Sequence, residues 1–236
     1  MGRWYRGIRA LANGLLDALL VREVDGLERV PRAGGLIVAA NHGAFWDPPV
    51  LGATLPRELH YLAGAEFFAV PGFAALIRSL NAIPIRRGVA DAAGLERARS
   101  LLAGGAAVRV FPEGGRMKDG RLHPARPGLG LLVSRARVPI LPVHVAGTNH
   151  IRRCMARREH VRIAIGEPLP ETLWFPAGAT STRTGRDLHQ QVGDRVMQEI
   201  ALLRHRPEAA PRSGAAPATG PSPPGDSEQE AGEIHE

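Results

Sequence analysis

Gly35-Leu36-Ile37-Val38-Ala39-Ala40-Asn41-His42-Gly43-Ala44-Phe45-Trp46-Asp47-Pro48-Pro49 decides how the rest of the chain is read. Its first six residues form a continuous apolar run, the pattern of a strand covered on both faces in a parallel sheet. The run ends in a polar Asn41-His42 pair, and open α/β sheets place their ligands at the carboxyl ends of such strands. Asp47 follows His42 after four residues that include Gly43, so a tight turn can fold the carboxylate back onto the imidazole. An Asp-oriented His is a general base, because the carboxylate fixes the tautomer and stabilises the imidazolium formed when a proton is taken. A competing reading makes Asp47 the cap of a helix that begins at Pro48.

The 236 residues suffice for one substantial α/β domain with appendages. The formal net charge of +7 is unevenly spread. Residues 1–206 hold 29 basic against 17 acidic residues, whereas residues 207–236 hold one basic against six acidic. A basic body points to phosphate-bearing partners: nucleic acid, anionic lipid or a phosphorylated small molecule. Aromatic residues make up only 5% of the chain, too few for stacking platforms, and no nucleic-acid motif occurs, so a nucleic-acid partner is not expected. Cys154 is the single cysteine, which excludes an intrachain disulfide and fits a reducing compartment. No apolar run approaches the roughly 20 residues that span a bilayer. Asn13 and Asp17 interrupt the N-terminal apolar region where a signal peptide would need continuity.

Trp4, Ile8, Leu11, Leu15 and Leu19 recur at helical spacing, with Tyr5, Ala12, Leu16 and Leu20 beside them and Arg3, Arg6 and Arg9 in the first turns. Residues 1–20 therefore read as an amphipathic helix, which either lies in an anionic membrane surface or packs its stripe on the core. Strands are expected around 21–24, 35–40, 59–63, 81–85, 106–111, 138–143 and 161–165. Helices are expected over 91–102 and 128–137, and along Leu188, Val192, Val196, Ile200 and Leu203. The aromatic-rich stretch Phe67 to Ile77 is either core or the wall of an acyl groove. This alternation predicts a single α/β domain over 21–206, with a mostly parallel central sheet flanked by helices. Beyond residue 206, 19 of 30 residues are Pro, Gly, Ala or Ser, so 207–236 is expected to be a disordered tail.

Three strand ends carry polar loops: Asn41–Asp47, Arg86-Arg87-Gly88 and Glu113-Gly114-Gly115-Arg116-Met117-Lys118. In a parallel sheet they lie on one edge and can share a site. Gly114-Gly115 allows close backbone approach, and Arg86, Arg87 and Arg116 are suited to holding a phosphate. Glu113 fits beside a phosphate only if it accepts a substrate hydroxyl or fixes an arginine.

With these loops in place the chain resembles the glycerolipid acyltransferases typified by lysophosphatidic acid acyltransferase. Asn41-His42-Gly43-Ala44-Phe45-Trp46-Asp47 is similar to that family's first motif, with His as base and Asp as its orienter. Ala82-Ile83-Pro84-Ile85-Arg86-Arg87 resembles the second, whose arginine is implicated in holding the acceptor's phosphate. Phe111-Pro112-Glu113-Gly114-Gly115-Arg116 resembles the third, assigned to acceptor binding, and Val138-Pro139-Ile140-Leu141-Pro142-Val143 the fourth, an apolar strand near the acyl site. The resemblance covers about residues 30–168. It departs from the pattern where Gly115 replaces the usual Thr and Met117 follows Arg116, which leaves the acceptor's identity open. The N-terminal segment is also less hydrophobic than is common in the family.

The resemblance implies an O-acyltransferase of phospholipid biosynthesis, peripheral at the cytoplasmic face of the membrane, needing no metal and no cofactor. The donor would be acyl-CoA or an acyl carrier protein. The acceptor would be a lysophospholipid, foremost 1-acylglycerol 3-phosphate giving phosphatidic acid. His42 and Asp47 would be catalytic; Arg86, Arg87, Glu113, Gly114, Gly115 and Arg116 would bind the acceptor. Backbone amides near the first motif would stabilise the oxyanion. The alternatives are a different acceptor (glycerol 3-phosphate, another lysolipid, a lipid alcohol or amine) or a catalytically silent lipid-surface protein.

Overall fold

The computed structural model describes residues 2–86, 91–175 and 185–205. Arg87 and the expected tail fall outside them. Helix α1 (Arg3–Leu19) precedes seven strands: β1 (Arg22–Asp25), β2 (Leu36–Ala40), β3 (Leu59–Gly64), β4 (Ala82–Ile85), β5 (Ala107–Val110), β6 (Ile140–Ala146) and β7 (Val161–Ile165). Between and after them lie α2 (Asp47–Thr54), α3 (Pro71–Ser79), α4 (Ala92–Ala103), α5 (Gly128–Ala136), the short α6 (Ile151–Met155) and α7 (Arg186–Arg204).

All seven strands form one sheet in the order β1-β7-β6-β2-β5-β3-β4. The run from β6 to β4 is parallel, whereas β7 pairs antiparallel with β6 and carries β1 parallel to itself. The mostly parallel sheet expected from the alternation is therefore present, with a reversed pair at one edge. β2 is central, and all five of its residues are fully buried. Its side chains alternate between two cores, as the period of two requires. Leu36, Val38 and Ala40 join Leu16 of α1, Val50 and Leu51 of α2, and Cys154 of α6. Ile37 and Ala39 join Leu95 of α4, Leu132 of α5 and Val196 of α7.

The N-terminal helix divides its two apolar rows. Tyr5, Leu16 and Leu20 are buried against the domain, and the Tyr5 hydroxyl accepts from the Leu59 amide. The other row points away: Trp4 is 65% exposed, Leu11 75% and Leu15 57%. Of the first-turn arginines, Arg3 and Arg6 are exposed, whereas Arg9 turns inward and donates to the Leu55 carbonyl. Among the described residues no helix is long and apolar enough to cross a membrane.

Candidate active site

Because β2, β4, β5 and β6 run parallel, their carboxyl ends open on one edge of the sheet, and the polar loops that follow them meet there. Asn41 extends the sheet by one step in side-chain form. Its amide donates to the Val145 carbonyl at 2.9 Å, and its oxygen accepts from the Val145 N–H at 2.7 Å. The chain after β2 is thereby clamped to β6 before it turns, and His42 leaves the sheet at a set angle.

The His42 Nδ1 lies 2.9 Å from Asp47 Oδ2, with both side chains buried. The same carboxylate accepts from the Ala44 amide and from the Thr148 hydroxyl, so the backbone turn and the loop after β6 hold it from two sides. These bonds decide between the two readings of Asp47. It is the first residue of α2, its carboxylate points back into the turn, and α2 has no side-chain cap. The His42 ring also stacks on Phe111, with centroids 3.9 Å apart and planes 10° from parallel. With Nδ1 engaged, Nε2 is the nitrogen left for a substrate, and His42 lines a cavity of about 900 Å³.

That cavity is walled largely by apolar side chains, among them Leu62, Phe67, Phe73 and Ile77. The aromatic-rich stretch, left between core and groove by its sequence, thus contributes wall. Exposed Arg86, Arg116 and Arg126 also line it, so a cationic rim adjoins an apolar interior. The backbone N–H of Arg86 bonds the Asp91 carboxylate, and its guanidinium lies 3.7 Å from it. The amides of Arg86 and Gly94 hold that carboxyl below its ordinary range. Gly114, at φ +72°, takes a backbone conformation that favours glycine, whereas a Cβ on Gly115 would meet only Met117 Cε, at 4.0 Å.

Glu113 is 2% exposed, and both of its carboxylate oxygens accept from backbone amides. One oxygen accepts from the His42 amide at 2.8 Å and the other from the His123 amide at 3.1 Å. The Met117 amide in turn donates to the His42 carbonyl at 2.8 Å. Glu113 therefore ties the first polar loop to the third. Burial pushes its carboxyl pKa up against the pull of the two amides.

The sequence profile of the acyltransferase family matches residues 21–146, which include every element of this site except Thr148. The chain belongs to that family. It is 26% identical over 162 residues to a 1-acyl-sn-glycerol-3-phosphate acyltransferase of Bacillus subtilis, a match covering 67% of this chain and 80% of the relative. It is 28% identical over 156 residues to a chloroplastic 1-acyl-sn-glycerol-3-phosphate acyltransferase of Brassica napus, covering 62% of this chain but only 44% of that relative. A crystal structure of the 1-acyl-sn-glycerophosphate acyltransferase PlsC from Thermotoga maritima superposes with a TM-score of 0.64 at 26% identity, over 87% of this chain and 81% of that one.

Two residues of this acyltransferase site escaped the sequence reading. Thr148 contacts Asp47 from 101 residues away. The available signal was its position in a polar loop directly after an apolar strand, the same signal that singled out the other three loops. Arg109 sits inside β5, where a cation contradicts the apolar pattern, and is 2% exposed. Its Nη1 donates to the Pro48 carbonyl at 2.7 Å, and its guanidinium carbon lies 4.7 Å from the Tyr61 ring centroid and 5.1 Å from that of Phe111. Nε and Nη2 have no hydrogen-bond partner, and the two aromatic faces compensate for that loss only in part. Burial lowers the Arg109 pKa to about 10, which leaves it charged at neutral pH. It pins the first turn of α2 and backs the ring on which His42 stacks.

His144 of β6 is buried, and desolvation, with Arg204 and His205 nearby, lowers its pKa from 6.5 to about 4 against the weaker pull of Asp47. A depressed folded-state pKa means the folded protein binds the proton less readily than the unfolded chain. The resulting stability is present above about pH 6.5 and lost as the pH falls toward 4. Between pH 7 and pH 4.5 this group alone is expected to cost about 2 kcal/mol. Urea melts of wild type and His144→Leu at both pH values check it: the variant should lose that much less on acidification. An equal acid loss in both would remove His144 from the account.

Proposed function

We propose that the protein transfers a fatty acyl group from a thioester, acyl-CoA or an acyl carrier protein, to the free hydroxyl of 1-acylglycerol 3-phosphate, giving phosphatidic acid. The observation that carries this reading is the His42–Asp47 pair on the wall of a cavity with an apolar interior and an arginine rim. The apolar part suits an acyl chain and the rim suits a phosphate. His42 Nε2 takes the proton of the acceptor hydroxyl as its oxygen attacks the thioester carbonyl, Asp47 stabilises the imidazolium, and collapse of the tetrahedral intermediate expels the thiolate, which is protonated in turn. The amides of His42 and Ala44 are not available to the oxyanion, since Glu113 and Asp47 already occupy them. The Bacillus, Brassica and Thermotoga relatives, each named as a 1-acylglycerol-3-phosphate acyltransferase, support this reading.

The test is an acyl-transfer screen with several acceptors, read by thiol release and by lipid mass. Phosphatidic acid from 1-acylglycerol 3-phosphate supports the reading. Thiol release with an acylated glycerol 3-phosphate, or with another lipid alcohol or amine, reassigns the acceptor. No thiol release with any acceptor favours the silent lipid-surface protein.

The same reading has the enzyme peripheral on an anionic membrane, at its cytoplasmic face. Its support is the outward row of α1 with Arg3 and Arg6 beside it, together with exposed Phe45 and Trp46 in the loop that carries the dyad. Flotation with anionic liposomes should recover the full chain, less of it as salt is added, and far less after Leu11→Glu with Leu15→Glu. Equal flotation of wild type and the double variant would count against docking through α1.

A further inference from the structure

Arg126 belongs to none of the recognised motifs and follows a proline-rich turn without periodicity, yet its setting is more constrained than that of any other arginine on the cavity rim. Its backbone N–H donates to the Pro112 carbonyl at 2.8 Å, and its Nε donates to the Glu113 carbonyl at 3.2 Å. Between those two anchors the side chain crosses Gly114. A Cβ built on Gly114 would stand 2.5 Å from Arg126 Cδ and 2.9 Å from Nε, so the stem occupies the space that the glycine leaves. The side chain is held at its base, middle and Nε, while the two Nη groups extend beyond the last anchor.

The charge is also uncommitted. Arg86 shares Asp91, and Arg22, Arg29, Arg99 and Arg153 each have a carboxylate partner. No acidic side chain among the described residues pairs with Arg126. The two carboxylates that most closely precede it in the chain are engaged elsewhere, Asp119 with His123 and the Arg121 amide and Glu113 with the amides of His42 and His123. A pre-ordered guanidinium without a counter-ion at the rim of a cavity is a site for an anion. Because the same turn presents Gly114, Gly115 and Arg116 to that cavity, the anion would be held on the side where the acceptor must place its headgroup.

We infer that Arg126 is a specificity-determining residue that binds the phosphomonoester of the acceptor, with its stem seated on Gly114 and its Nη groups as donors. This rests on the phosphate-acceptor reading of the site. It further assigns Gly114 a second role: beyond its positive φ, it supplies the seat that orients Arg126.

The experiment compares wild type, Arg126→Gln, Arg126→Lys and Gly114→Ala, each as the full chain with acyl-CoA, and with lysophosphatidic acid, glycerol 3-phosphate or monoacylglycerol as acceptor. Arg126→Gln is expected to raise the KM for lysophosphatidic acid about 10-fold or more, the loss of one charge-assisted hydrogen bond, with the acyl-CoA KM and the monoacylglycerol rate within about twofold of wild type. Arg126→Lys should recover part of the loss, because a point charge replaces the fork. Gly114→Ala should raise the lysophosphatidic acid KM at least as far, since the added methyl displaces the stem and also strains the backbone at φ +72°. Inhibition by glycerol 3-phosphate that weakens in parallel would place the contact on the headgroup; inhibition by inorganic phosphate alone, unchanged in the variants, would place it elsewhere. An unchanged lysophosphatidic acid KM in Arg126→Gln, or a rise in the acyl-CoA KM instead, overturns the assignment while leaving the reaction standing. Wild-type transfer to monoacylglycerol alone would overturn the phosphate-acceptor reading itself.

Discussion

His42→Ala is expected to reduce acyl transfer by about 10²–10⁴-fold, the usual worth of a positioned general base, while acyl-CoA binding and folding persist. An alcohol is a weak nucleophile at neutral pH, and among the described residues His42 is the imidazole that both lines the cavity and has its second nitrogen fixed by a carboxylate. Asp47→Asn probes the same unit from the other side. The carboxylate receives the His42 Nδ1–H, the Ala44 amide and the Thr148 hydroxyl. An asparagine can keep its oxygen toward His42 and Ala44 and donate its NH₂ to the Thr148 hydroxyl, but it lacks the charge that stabilises the imidazolium. Turnover in Asp47→Asn should therefore fall by about 10²-fold or more, with little change in the thermal midpoint. Thr148→Val removes one donor and leaves the carboxylate, and its turnover should lie between those of wild type and Asp47→Asn. Near-normal turnover in Asp47→Asn would sink the dyad.

Glu113→Gln is expected to have the second largest effect, and its signature separates bracing from acceptor binding. In the variant one of the two backbone amides meets an N–H₂ group instead of an acceptor. That leaves a buried donor unsatisfied at a cost of about 1–3 kcal/mol. For a chain of this size the thermal midpoint should drop by about 2–4 °C per kcal/mol. Turnover should fall with it, because the His42 amide is released and the base loses its fixed position relative to Phe111. The acceptor KM should change little. If the acceptor KM rises several-fold at an unchanged thermal midpoint, Glu113 touches substrate after all, and its bonds to His42 and His123 are rearranged on binding.

The apolar run 35–40, the polar residues at its end and the alternation of strands and helices were sufficient to place a mostly parallel sheet and to bring His42, Arg86 and Arg116 to one edge. Those are local properties: periodicity follows from burial on one or two faces, and strand ends follow from where an apolar run stops. Three features depended on contacts between distant segments. The reversal of β7 beside β6 is a choice of pairing partner, and the same alternating pattern serves a parallel or an antiparallel neighbour. Which row of α1 would face outward could not be read from two adjacent apolar rows; it was decided by the fit of Tyr5 and Leu16 against the domain. The bonds of Glu113 depended on the fold as well. A carboxylate beside glycines and arginines looks like a ligand group in one dimension, and the approach of the 41–47 loop across 71 residues supplies the His42 amide that one of its oxygens accepts from.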